Sequence, residues 1–85
     1  MIEFYSYLDI PDNFTGTCKI IGNGNIVYLK NGLSHREDGP AIIYKDGYTV
    51  YCYNGLSYGY NSFTNESWKE KVKELKYLES LEIFK

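Results

Sequence analysis

Four consecutive residues, His35-Arg36-Glu37-Asp38, stand inside the stretch N-G-L-S-H-R-E-D-G-P-A. An imidazole beside carboxylates is the material of general acid–base catalysis, and a guanidinium beside them grips anions bidentately. Such chemistry needs the base within hydrogen-bond reach of a substrate and a pocket that excludes water. Consecutive side chains on an extended segment alternate sides, so spacing alone does not bring His35 and Asp38 together. Asp38-Gly39-Pro40 reads as turn chemistry, with Asp bonding local backbone and Gly supplying unusual φ. The cluster is therefore read as a corner of the chain, and no catalytic residue is assigned. On this reading His35 is a surface or turn residue whose truncation is tolerated, and Gly39 sits at a positive φ that Val would strain. His35 is the only histidine, and Cys18 and Cys52 lack a Cys-x-x-Cys spacing, so no metal or cofactor is expected. The two cysteines read as small buried apolar side chains.

The elements around the cluster come from an internal repeat. Shifted by 23 residues against itself, the sequence sets Ile20 on Ile43, Gly24 on Gly47, Val27-Tyr28 on Val50-Tyr51, and Asn31-Gly32-Leu33-Ser34 on Asn54-Gly55-Leu56-Ser57. His35–Asp38 falls on Tyr58-Gly59-Tyr60-Asn61, so the frame does not need ionisable residues at that place. Each unit has two β-prone runs joined by Asn-Gly or Asp-Gly, the residues that type I′ hairpin turns require. The expected fold is α+β: an antiparallel β-meander of four to five strands, built from two hairpin repeats over residues 16–61, followed by a C-terminal α-helix. Residues 1–15 supply an N-terminal strand and lead-in, 64–79 the helix, and 80–85 a tail that either extends the helix or pairs as a strand. The whole is one domain.

Alternation places Cys18, Ile20, Val27, Leu29, Ala41, Ile43, Val50 and Cys52 on one sheet face. Ile21, Ile26, Tyr28, Ile42, Tyr44, Tyr51 and Tyr53 fall on the other. Neither face is polar, so both need covers. Thr64 is a good helix N-cap, with Phe63 and Trp68 placed for a hydrophobic staple. Trp68, Val72, Leu75 and Leu78 then form one apolar stripe. One helix covers one face. The tyrosine-rich face is left for the N-terminal run or for a partner.

The chain has ten tyrosines and a formal net charge of −2. That balance argues against nucleic-acid binding built on net charge. Glu3, Asp9 and Asp12 make the N-terminal segment acidic, which suits a basic protein partner. Tyrosine is enriched at interfaces, where its ring is buried and its hydroxyl stays paired. Tyr28, Tyr44, Tyr51, Tyr53, Tyr58 and Tyr60, with Arg36 and the three acidic residues, are the expected partner-binding set. No basic leader or long apolar run is present, so a cytoplasmic protein with no membrane partner is expected.

The run N-G-L-S-H-R-E-D-G-P-A followed by I-I-Y-K-D-G-Y resembles the "NGKLHREDGPA…DG" repeats of small bacterial and phage proteins. These are divergent, MORN-like repeats also found in YwqK-type antitoxin-like chains. The resemblance covers residues 13–61, including Asn13–Gly16; the second unit departs from it, with Tyr58-Gly59-Tyr60 in place of H-R-E. It implies a phage accessory or counter-defence protein that acts by binding, with a toxin ribonuclease as the favoured target and RNA as a possible part of the complex. A homodimer is the default oligomer. The alternatives are an oligomeric sponge for a nucleotide signal and a structural virion or scaffold module.

Overall fold

The computed structural model describes residues 1–82. In chain order it contains β1 (Ile2–Phe4), a 3-10 turn (Tyr7–Asp9), β2 (Gly16–Ile20), β3 (Ile26–Lys30), β4 (Leu33–Ser34), β5 (Ile42–Ile43), β6 (Thr49–Tyr53), β7 (Leu56–Tyr60) and α1 (Asn65–Glu82). The fold is α+β as the repeat implies, and the sheet is mixed and seven-stranded, in the order β1-β2-β3-β5-β6-β7 with β4 paired to β3. β1 is the expected N-terminal strand and pairs in parallel with β2; the strands beyond the expected set are the short β4, on β3, and β7, antiparallel to β6.

The repeat is visible in the backbone. Asn31 and Asn54 occupy the left-handed region at φ 50 and φ 49, each followed by a glycine that does the same. Asn23 Oδ1 accepts the Asn25 N–H at 3.0 Å, and Asp46 Oδ1 accepts the Tyr48 N–H at 2.9 Å, one repeat later. The first strands of the two units differ by one residue in register. Lys19 pairs with Ile26 in the first unit, but Ile43, not Ile42, pairs with Thr49 in the second. A one-residue slip turns every side chain of a strand to the opposite face. Ile42 therefore pairs with both Val27 and Val50 and joins their face, correcting the assignment made from alternation.

Both faces acquire covers. Phe4, Ile10 and Phe14 pack on Cys18, Ile20 and Val27, so the N-terminal segment supplies an edge strand and a lid together. Phe4 and Phe14 meet edge to face at 5.5 Å. Beside them Ala41, Val50 and Cys52 form a second cluster, and both cysteines are buried and free, with burial pushing each thiol up. On α1's side, Trp68 and Val72 pack against Tyr51 and Tyr53. Thr64 Oγ1 accepts the Ser67 N–H at 3.0 Å and Ser67 Oγ accepts the Thr64 N–H at 2.9 Å, a reciprocal cap. Phe63 meets Trp68 at 5.1 Å, the expected staple. The stripe is buried at Trp68 and Val72 and runs into solvent at Leu78. Leu81 and Glu82 continue the helix; the rest of the tail lies outside the described residues.

Candidate functional site

Alternation does sort His35–Asp38, but into i,i+2 pairs. His35 and Glu37 meet at 3.0 Å, and Arg36 and Asp38 at 2.8 Å. His35 is buried, contrary to the surface reading. Its Nδ1 accepts the Asn54 N–H at 2.9 Å, which leaves Nε2 to carry the proton that it donates to Glu37 Oε2. Its ring lies 4.8 Å from that of Tyr53. Glu37 reaches the helix through Lys76, at 2.6 Å. The Lys76 ammonium first, and His35 after it, hold the Glu37 carboxyl below the usual range. Arg36 lays its guanidinium 4.1 Å above the Tyr28 ring and donates to Pro40 O at 3.3 Å, while its own carbonyl accepts the Trp68 indole N–H at 2.7 Å. His35, Arg36 and Glu37 are thus tied to the β6–β7 turn, the following turn and the helix, and Asp38 is tied to Arg36. Asp38 is held below its usual range chiefly by Arg36.

Gly39 does not hold a positive φ. Its lack of a side chain matters because a Cβ there would come within 2.9 Å of the Arg36 guanidinium carbon. The constraint is room for the clamp, not turn conformation.

The expected partner-binding tyrosines divide. Tyr51 and Tyr53 are core, at 5% and 6% exposure, and Tyr58 packs beside them on Trp68. The expectation that they present an open face is corrected. Beside them β7 carries an extra residue: Tyr51 pairs with Gly59 and Cys52 with Ser57, leaving Tyr58 as a bulge. The Tyr51 hydroxyl donates to Phe63 O at 2.9 Å, and the Tyr53 phenol is pushed up to about 12 by burial and then by nearby Glu79. Tyr28 is covered by Arg36.

Tyr44 and Tyr60 remain open, joined by Tyr48, which was not in the expected set. Tyr44 and Tyr48 stack at 6.1 Å and 30°, and Tyr48 and Tyr60 at 5.8 Å and 15°. They are 38%, 37% and 56% exposed. With Asp46 they line one shallow hollow. Partial burial pushes the Tyr44 phenol up. Tyr7 borders the ladder: its hydroxyl accepts from Asn25 Nδ2 at 3.3 Å, and Asn25 Oδ1 accepts the Lys45 N–H at 3.2 Å. Tyr48 follows an Asp-Gly turn, a signal that a residue flanks a hairpin end, but its stacking partners come from β7 and from beyond β5.

The acidic trio does not converge into one site by bonding. Glu3 sits in β1 opposite Lys19, Asp9 accepts the Ser6 N–H at 3.2 Å, and Asp12 is exposed beside the Gly32 turn. Among the described residues no group of three or more His, Cys, Asp or Glu side chains is placed to hold a metal, and no helix is long and apolar enough to cross a membrane. No family model, curated protein or solved structure matches the chain.

Proposed function

We propose that the chain is a non-enzymatic binding protein of the phage accessory type. In this reading it works in the bacterial cytoplasm, where it inhibits a toxin or defence protein, with a toxin ribonuclease as the favoured target. The observation that carries it is the contrast between two clusters. The ionisable residues that catalysis would draw on are spent on bracing the fold, while three aromatic rings stand stacked and open to solvent. Exposed aromatic surface of this kind supports recognition. A ribonuclease holds RNA on a basic surface, and an acidic, tyrosine-rich protein competes for such a surface. Self-association belongs to the same reading, because β7 ends the sheet and carries no charged residue.

Purification of the tagged chain from toxin-expressing cells tests the proposal. A stoichiometric basic protein whose RNA cleavage falls when the chain is added is the expected result. A bound nucleotide without protein points to the sponge alternative. No retained protein and unchanged cleavage by toxin ribonucleases sink the reading.

A further inference from the structure

Tyr44, Tyr48 and Tyr60 and the Asp46 carboxylate surround one hollow. The ring spacings, 6.1 and 5.8 Å between centroids, are below the roughly 7 Å that a planar group needs between two faces at van der Waals contact. A planar ligand therefore lies over the ladder and does not intercalate. Asp46 spends Oδ1 on the Tyr48 N–H, and its carboxylate has no salt-bridge partner among the described residues. Lys45 is the nearest cation in sequence, and its stem runs against Gly24 in the neighbouring turn.

The same molecule shows what satisfies such a set. In the first unit the Arg36 guanidinium lies 4.1 Å above Tyr28 and is clasped by Asp38 at 2.8 Å. Arg36 is the sequence's single arginine and is engaged there, so the chain brings no guanidinium to its open tyrosines. We propose that the Tyr44–Tyr48–Tyr60 ladder and Asp46 form a receptor site for an arginine side chain of a basic protein partner. The guanidinium lies over the rings and pairs with the carboxylate. Arginine fits better than lysine because its planar cation both stacks on an aromatic face and meets a carboxylate with two parallel donors. The inference rests on the proposed function only in taking the partner to be basic.

The probe is an acetylated, amidated Gly-Arg repeat octapeptide, titrated into the isotope-labelled full chain and followed by amide chemical shifts. Saturable shifts centred on residues 44–48 and 60 are expected. Asp46→Asn keeps the turn, since Asn23 makes the same bond in the first unit, and removes only the charge. It should weaken binding about threefold, as loss of one exposed ion pair does. Tyr48→Ala should weaken it further. Shifts centred on Glu3, Asp9 and Asp12 or on the helix glutamates overturn the inference, as does indifference to both variants. So does equal binding of a Gly-Lys octapeptide, or a uridine octanucleotide that displaces the arginine peptide. If the peptide fails while the chain still inhibits a ribonuclease, this site is wrong and the function stands. Binding at the ladder without any inhibited protein leaves the site standing and removes the function.

Discussion

Gly32 and Gly47 both hold left-handed backbone, at φ 79 and φ 93, yet they are not equivalent. A Cβ at Gly47 meets nothing within 4 Å, whereas one at Gly32 runs into the Asp12 carbonyl. Gly47→Ala therefore costs only the left-handed strain, about 1 kcal/mol. Gly32→Ala adds displacement of the lead-in segment and should cost about 2–4 kcal/mol, the combined scale of backbone strain and overpacking. Urea unfolding of both variants checks the order; equal losses would mean that the Asp12 segment yields freely. His35→Ala is a second residue-scale case. It removes the acceptor for the Asn54 N–H, the donor to Glu37 and the ring against Tyr53. A loss of about 1–3 kcal/mol is expected in the same experiment, in place of the tolerance that a surface turn residue would show.

At the scale of elements, the question is what holds α1 to the sheet. Trp68 is fully buried and its indole N–H reaches Arg36 O at 2.7 Å, so Trp68→Phe keeps an aromatic ring but leaves that carbonyl without its donor. About 1–3 kcal/mol should be lost, read by the midpoint of helix ellipticity in urea. The second tie is Lys76 to Glu37 at 2.6 Å. A folded carboxyl held below its unfolded value of 4.5 stabilises fully above that pH and loses its contribution as pH falls through the folded value. Both side chains are more than a third exposed, so solvent screens the pair and the effect is modest. Between about pH 6 and about pH 3 the urea midpoint should fall less steeply in Glu37→Gln than in wild type. Parallel slopes would show that the tie is not felt.

Much of this architecture was readable from local signals. Asn-Gly and Asp-Gly mark turns that need positive φ, and Thr64, Phe63 and Trp68 mark a helix start, because each acts within a few residues. The slip of β5 was not readable, because its cause is a shorter connection between paired residues and sequence identity still favours setting Ile20 on Ile43. Nor was the role of His35–Asp38, whose partners Asn54, Trp68 and Lys76 are distant in sequence and arrive only when β6, β7 and α1 are in place. The burial of Tyr51 and Tyr53 is not legible for a related reason: Trp68 and Val72, which cover them, lie well along the sequence in α1. For the open ladder, alternation marks Tyr44 and tyrosine enrichment marks Tyr60, while Tyr48 needs the tertiary stack.

The whole molecule is a slab, 42 × 27 × 17 Å, too thin for a single central core. Its buried residues fall into separate clusters, one under the N-terminal segment, one along β5 and β6, and one under α1. Separate clusters invite stepwise unfolding, but connections run across them. Ile42 packs against the first two, Tyr28 packs against the second and carries Arg36, and Arg36 accepts the bond from Trp68 in the third. The prediction is one cooperative transition. Phe14 touches only the N-terminal cluster, and Phe14→Ala should cost about 2 kcal/mol, the scale for removing a partly buried aromatic ring. The single tryptophan reports from the opposite end of this chain of contacts. If the molecule unfolds as a unit, the Trp68 fluorescence midpoint moves by the same amount as the far-ultraviolet ellipticity midpoint. A Trp68 transition left where the wild type has it, while ellipticity shifts, would show that the helix end folds independently of the N-terminal lid.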